Sequence, residues 1–210
     1  MGDTPCKLSK GSHAHNFEAL QMHRIDKGRI DNLDILLSLI AIAVANLSYD
    51  EYSVVSCMSK ASSGEHRLHL FNCQMDMRAE NAAEMIVSVS KLREIAYRNA
   101  IFSYRQQIQV STLSHGGILC VVPEETLGDQ VLQTHQDILA CLYLDRYNTM
   151  CLKYKPTGVC DENLEFFLKE LDFICRSVSS QPEMPLEQVS VEMTPCAMDR
   201  LQSSINAQWH

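Results

Sequence analysis

The sequence predicts an α+β fold in which two β-hairpins form an antiparallel sheet that helices cover. Three features predict it. Two pairs of short apolar segments are each joined by a turn-forming stretch, amphipathic segments separate the pairs, and 46% of the 210 residues are apolar. A chain of this size and composition is expected to form one domain with its own core. The expected order of elements is α-ββ-α-ββ-α-α, with an N-terminal arm and a C-terminal tail.

Residues 1–30 are predicted to form a basic, partly mobile N-terminal arm. This segment has five basic and three acidic residues, although the whole chain has a formal net charge of −8. Its apolar residues are too few and too irregular to pack firmly. Phosphate recognition needs clustered cations, so the composition argues against a nucleic acid partner. Weak RNA binding through this arm is kept as an alternative function.

The first helix of the body is predicted over residues 32–47, with Asp31 or Asn32 as its N-cap. Apolar residues lie on nearly all its faces, including the stretch ILLSLIAIAVA at 35–45. This stretch is about half the length of a transmembrane helix, so we expect a buried core helix and no membrane partner. Since one antiparallel sheet covers only one face of such a helix, the sequence also predicts a homodimer.

The two hairpins frame a second helix. Residues 52–58 and 67–73 are predicted as the first hairpin, and a helix is predicted from residue 76 to about residue 98. Residues 103–113 and 118–122 are predicted as the second hairpin, because the paired glycines between them can adopt the positive φ angles of a tight turn.

Two further helices complete the body, which is predicted to span residues 31–180. A capping-box pattern at residues 126–129 precedes an apolar pattern that continues through Ile138 and Leu142, which predicts a helix. The last helix is predicted to start at Asp161, and it has the clearest amphipathic pattern of the chain. Asp172 and Arg176 are predicted to form an i,i+4 ion pair on its polar side.

Residues 181–210 are predicted to be a linker followed by a short docking helix. Thr194 and Pro195 suit the first positions of a helix, and apolar residues follow at spacings of three and four. We expect this stripe and a pair of phenylalanines seven residues apart on the preceding helix to bind a partner protein. The predicted partner-binding residues are Phe166, Phe173, Met198, Leu201, Ile205 and Trp209.

The nine cysteines are irregularly spaced, and no secretory signal precedes them. This usage is typical of free thiols in a reducing compartment, so we expect a cytoplasmic or nuclear protein. The cysteines within apolar segments are expected to be buried and reduced. They are Cys57, Cys120, Cys141 and Cys175.

The spacing of cysteine and histidine residues offers two candidate chemical sites. Cys120 and His115 lie close together in the sequence and could serve a cysteine-dependent enzyme, which is the alternative function. A strand thiol is normally inert, however, and a histidine at a turn is normally solvated. His69 and Cys73 are the best metal candidates, because the period of a strand places both on one face.

Neither pair has the surrounding residues that such chemistry needs, and no cofactor motif occurs, so no cofactor or metal is expected. We therefore predict a non-enzymatic interaction module, an adaptor or chaperone-like regulatory protein that binds another protein. The order of elements resembles that of small acidic dimeric folds such as class I secretion chaperones, which implies a role in partner binding.

Overall fold

A mixed six-stranded sheet forms the centre of the molecule. The structure, a computed structural model, describes residues 6–22, 24–25, 28–48, 52–60, 66–74, 81–95, 119–136, 138–156 and 161–189. The strands of the sheet are β1 (Lys7–Ala14), β4 (Tyr52–Lys60), β5 (His66–Gln74), β6 (Leu119–Val121), β7 (Ala140–Leu144) and β8 (Thr149–Tyr154). A separate two-stranded ribbon joins β2 (Arg24–Ile25) to β3 (Gly28–Arg29).

Helices cover both faces of this sheet. They are α1 (Glu18–Gln21), α2 (Asn32–Ser48), α3 (residues 82–95), α4 (Glu125–Thr134) and α5 (Asp161–Ser180). The larger apolar core lies between one face of the sheet and α2, α3 and α5. A smaller core lies between the opposite face and α4. Side chains of β6, β7 and β8 alternate between the two cores, so these central strands are buried on both faces.

The strand order is β1-β8-β7-β6-β4-β5, and the sheet contains both kinds of pairing. β6 is parallel to β4 and to β7, whereas the other pairs are antiparallel. The prediction of an antiparallel sheet made from two hairpins is therefore wrong. The first predicted hairpin is present, since β4 and β5 pair in continuous register from Tyr52 opposite Gln74 to Lys60 opposite His66.

The second half of the sheet differs from the prediction in two ways. β6 pairs in parallel with β4 and with β7, so it is not a strand of an antiparallel hairpin. The segment predicted as its partner, 103–113, lies outside the described residues. In addition, α4 ends at Thr134, so the helix that was predicted to continue through Leu142 is shorter than expected. Ile138 lies just before β7, and Leu142 lies within β7. A strand buried on both faces carries an unbroken apolar run, which resembles a buried helix in sequence.

The segment Lys7–Ala14, predicted within the N-terminal arm, forms the edge strand β1 and pairs antiparallel with β8. Most of its side chains are exposed, which explains why an apolar pattern does not mark it in the sequence. The register shifts between Lys10 and Ala14, so β1 contains a bulge. Bulges and charged side chains are common on edge strands, because they discourage pairing with other chains.

α2 lies inside the larger core and is covered by its own chain. All residues from 33 to 43 are buried, against the sheet on one side and α5 on the other. The apolar surface of residues 33–43 is thus covered within one chain. The homodimer stays a prediction, and these residues give it no support. Among the described residues, no helix is both long and apolar enough to cross a bilayer.

α4 approaches the sheet closely at Gly128. A Cβ atom added at this residue would lie 3.5 Å from Cβ of Cys141 and 3.6 Å from Cγ2 of Val122, which are ordinary contact distances. Glycine within a helix costs up to about 1 kcal/mol relative to alanine. We therefore expect Gly128→Ala to raise the free energy of unfolding by up to about 1 kcal/mol in urea denaturation. A destabilised variant would contradict the described spacing between α4 and β7.

Residues 181–189 pack against the body immediately after α5. The carbonyl oxygens of Pro182 and Met184 accept hydrogen bonds from the first backbone N–H groups of α3, at 2.9 and 3.3 Å. Leu186 and Val189 are buried in the larger core. This part of the predicted linker therefore caps one helix and contributes apolar side chains to the core.

Truncation of Leu186 tests this packing in the full chain. We expect Leu186→Ala to lower the free energy of unfolding by about 2–4 kcal/mol, because it removes buried apolar surface and leaves a cavity. Gln188→Ala, in the same turn but exposed, should change it by less than about 0.5 kcal/mol. Equal effects of the two substitutions in denaturant titrations would show that the segment does not pack as described.

Candidate functional site

A buried polar cluster joins the edge strand β1 to the middle of α5. One carboxylate oxygen of Asp172, Oδ2, accepts hydrogen bonds from the backbone N–H of Ser12 at 3.0 Å and from its hydroxyl at 2.6 Å. The other, Oδ1, lies 2.6 Å from Nε2 of His15. The side chains of His15 and Asp172 are only 2% and 3% exposed. Serine, histidine and aspartate thus meet at one place, which is the residue set of a hydrolytic triad.

The local backbone allows this close approach. A Cβ atom at Gly11 would lie 2.9 Å from Oδ1 of Asp172, so a larger residue would displace the carboxylate. The backbone N–H of His15 donates to the carbonyl oxygen of Asn148, which fixes the end of β1 to the turn between β7 and β8. Burial acts to raise the pKa of Asp172, but the hydrogen bonds from Ser12 and His15 outweigh it and hold that pKa below its usual value.

The arrangement within this cluster does not match that of a triad. In a triad the histidine lies between the hydroxyl and the carboxylate, and it takes the proton of the hydroxyl. Here the hydroxyl of Ser12 donates directly to Asp172, so its proton is directed to the carboxylate. Since the histidine and the aspartate are also buried, the cluster fastens β1 to α5 and does not act as a nucleophile.

A second polar cluster joins the start of α2 to α3. Arg93 donates from Nε to Oδ1 of Asp34 at 2.5 Å, and from a terminal nitrogen to Asp34 at 3.2 Å and to Asp31 at 2.8 Å. Asp31 and Asp34 also accept hydrogen bonds from each other's backbone N–H at 3.0 Å, so the predicted N-cap at Asp31 is present. The pKa of Asp31 is raised, chiefly by burial, although Arg93 opposes this shift.

The predicted cysteine–histidine site is only partly described. Cys120 is fully buried in β6, and His115 lies outside the described residues. The pKa of the Cys120 thiol is raised well above its usual value, first by a hydrogen bond with the thiol of Cys141 and then by burial. Thiolates are the nucleophilic form of cysteine, so this thiol is unsuited to attack in the folded state.

The metal candidates His69 and Cys73 both lie on β5, opposite Cys57 and Ser53 of β4. Within the part of the chain that the structure describes, no three His, Cys, Asp or Glu side chains come together in a way that could hold a metal ion. The predicted buried thiols Cys57, Cys120, Cys141 and Cys175 are buried and free.

The predicted partner-binding residues fall into two groups. Phe166 and Phe173 are half-buried on α5, and the guanidinium of Arg176 lies 6.0 Å from the ring centre of Phe173. Whether they bind a partner stays a prediction. The tail residues lie outside the described residues; they are Met198, Leu201, Ile205 and Trp209.

Sequence reasoning missed both polar clusters. Asp172 was predicted to pair with Arg176, but its carboxylate faces Ser12 and His15, and Arg176 instead donates to the backbone oxygen of Asp172 at 3.4 Å. The one available signal was an aspartate beside the apolar stripe of α5. That signal does not identify partners about 160 positions earlier in the chain.

No family model and no curated protein matches this chain. Solved structures do resemble it in fold. An X-domain from teicoplanin biosynthesis, solved in complex with OxyB, aligns with a TM-score of 0.63 at 8% identity and covers 90% of this chain and 48% of its own. The starter condensation domain of rhizomide synthetase, in complex with C8-CoA and Leu-SNAC, aligns with a TM-score of 0.62 at 10% identity, covering 89% and 48% respectively.

A holo four-domain nonribosomal peptide synthetase, bound to AMP and glycine, also aligns with a TM-score of 0.60 at 10% identity. It covers 91% of this chain and 18% of its own. The chain therefore spans about half the length of the condensation domain and X-domain structures that it resembles.

These neighbours are catalytic or enzyme-associated domains of peptide-synthesising assemblies, so the prediction of a non-enzymatic adaptor or chaperone-like module is wrong. The order of elements that suggested a resemblance to secretion chaperones was itself incorrect, because the sheet is mixed. What the chain shares with these structures is the fold of about half a condensation-type domain.

Proposed function

We propose that this chain is one half of a condensation-type unit, which takes part in acyl transfer between thioester-bound substrates. One observation carries the proposal. About nine-tenths of the chain aligns with about half of the condensation domain and X-domain structures, at TM-scores of 0.62 and 0.63. An alignment that uses nearly all of one chain and half of another is expected when one is a structural half of the other.

The contacts within the described residues suggest which half binds the substrates and which half supplies the reacting groups. The hydroxyl of Ser12 donates its proton to Asp172, the thiol of Cys120 is fully buried with a raised pKa, and His15 is enclosed beside Asp172. We infer that this half supplies a rigid wall for binding, and that a second half supplies the reacting groups. The second half would belong to the same longer polypeptide or to a separate chain.

The reaction proposed for the completed unit is amide formation. The amine of an aminoacyl thioester attacks the carbonyl carbon of an acyl thioester, the new C–N bond forms, and the C–S bond breaks. The sulfur leaves as a free thiol after the amine loses its proton to a base. Binding and orientation of two such substrates account for a large part of catalysis in reactions of this kind.

The experiment uses the full chain and the two thioesters found in complex with a double mutant of the rhizomide synthetase domain, C8-CoA and Leu-SNAC. Each is titrated into isotope-labelled protein, and backbone chemical shifts are followed by NMR. Free CoA and octanoate are matched controls for the two parts of the acyl thioester. We expect saturable shifts with at least one thioester, and weaker or different shifts with the control fragments.

Product formation is then measured by mass spectrometry with both thioesters present. We expect no amide above the rate without protein, because the reacting groups belong to the other half. The proposal is contradicted if neither thioester produces saturable shifts. Amide formed catalytically by this chain alone would instead contradict the division of roles between the two halves.

A further inference from the structure

Two thiols meet in the smaller core on neighbouring strands. Cys120 of β6 and Cys141 of β7 are directly opposite each other in the parallel register. Both belong to the apolar cluster that α4 covers, so their side chains project from the same face of the sheet. Both residues are fully buried.

We infer that Cys120 and Cys141 are a dithiol modification site, which a low-molecular-weight disulfide oxidises to an intramolecular disulfide between β6 and β7. Neighbouring strands lie about 4.8 Å apart, and disulfides join residues whose Cα atoms are about 4.4–6.8 Å apart. The two strands already provide a suitable spacing, so bond formation needs only a local adjustment of the side chains.

The other thiols that the structure shows as buried lack such a partner position. Cys151 lies opposite Tyr143, and it is diagonal to Cys141, which faces Lys153. Diagonal neighbours are farther apart than directly opposite ones. Cys57 and Cys175 belong to the larger core on the other face of the sheet, and Cys57 lies opposite His69 and Val121.

The oxidation is a thiol–disulfide exchange in two steps. The thiolate of one cysteine attacks a sulfur of the small disulfide, which forms a mixed disulfide and releases one small thiol. The second cysteine then attacks the protein sulfur of the mixed disulfide, the protein disulfide forms, and a second small thiol leaves. The protein loses two electrons and two protons, and the small disulfide is reduced to two thiols.

Access to the pair is controlled by α4. Gly128 lies directly above Cys141, so the reagent reaches the thiols only when α4 separates from the sheet. Exchange should therefore be slow in water and faster at urea concentrations below those that unfold the chain. Gly128→Ala stabilises α4 and should slow the reaction several-fold.

The test treats the folded full chain with 2-hydroxyethyl disulfide, blocks remaining thiols and digests the protein with trypsin. Residues 106–146 form one tryptic peptide, and Cys120 and Cys141 are the cysteines in it. We expect this peptide to lose the mass of two hydrogen atoms and to escape the blocking reagent. Additional cleavage after Glu124 or Glu125 should then give two fragments that stay linked until a reductant is added.

Alanine variants identify the pair. Cys141→Ala and Cys120→Ala should each abolish the linked fragments, whereas Cys175→Ala on the opposite face should preserve them. Peptide mapping of the oxidised wild-type protein decides the outcome even if one variant fails to fold. The inference is overturned if residues 106–146 keep both thiols while other cysteines are oxidised, or if Cys141 is linked to Cys151. It is also overturned if the linked fragments form only after complete unfolding.

Discussion

Replacing Asp172 with alanine is expected to lower the free energy of unfolding by about 3–5 kcal/mol at neutral pH. The carboxylate accepts three hydrogen bonds or ion contacts from Ser12 and His15, and the substitution leaves these buried groups without their acceptor. Urea titration followed by circular dichroism measures the effect. Glu165→Ala, exposed on the same helix, is the matched control and should change stability by less than about 0.5 kcal/mol.

The effect of Asp172→Ala should depend on pH in a defined direction. The pKa of Asp172 is lower in the folded chain than its ordinary value, so the carboxylate stabilises the fold above the unfolded pKa of about 4. This contribution is lost as the pH falls through the folded pKa. The gap in stability between wild type and variant should therefore be largest near neutral pH and narrow below about pH 4. A small gap, or one that acid leaves unchanged, would show that the cluster does not hold β1 against α5.

The second large effect is expected from Arg93→Met. Asp34 is completely buried, and Arg93 supplies the positive charge beside it, so the substitution leaves an uncompensated carboxylate in the core. Breaking a buried ion pair in this way typically costs about 3–5 kcal/mol. Lys91→Met, exposed on the same helix, is the matched control. Thermal and urea denaturation of both variants measure the difference.

Two more variants separate charge from packing at this site. Arg93→Lys should be intermediate, because an ammonium cannot donate to both oxygens of Asp34 and to Asp31 with the fixed geometry of a guanidinium. The double variant Asp34→Asn with Arg93→Met should be less destabilised than the sum of its single variants, since it removes both charges. Additive effects would indicate that Arg93 acts through its aliphatic part alone.

The fold of the chain could be predicted only where local pattern decides it. α2 begins at Asn32 as expected, because a capping aspartate precedes an unbroken apolar stretch. α5 begins at Asp161 as expected, because its amphipathic period is regular over twenty residues. The β4–β5 hairpin was found because two short apolar segments flank one turn-forming stretch. In each case the information lies within a few residues of the feature.

The topology of the sheet was determined by contacts that no local pattern records. β6 and β7 are buried on both faces, so their residues are apolar. An apolar run of this kind does not specify which strands lie beside it, or whether they pair in parallel or antiparallel. β1 has an edge position and few apolar residues, so nothing in its sequence marks it as a strand. The resulting sheet is mixed, whereas the local pattern predicted an antiparallel one.

The sequence by itself determined that α2 is buried, that α2 and α5 begin near residues 32 and 161, and that four of the cysteines lie in the core, because hydrophobic period and capping act over one or two turns. Only the tertiary structure decided that Asp172 faces Ser12 and His15, that Arg93 faces Asp34, and that Cys120 lies opposite Cys141. The partners in the first cluster are 157 and 160 positions apart. Such pairs form because the completed sheet places β1 beside α5, and the free energy that fixes this arrangement comes from the whole core.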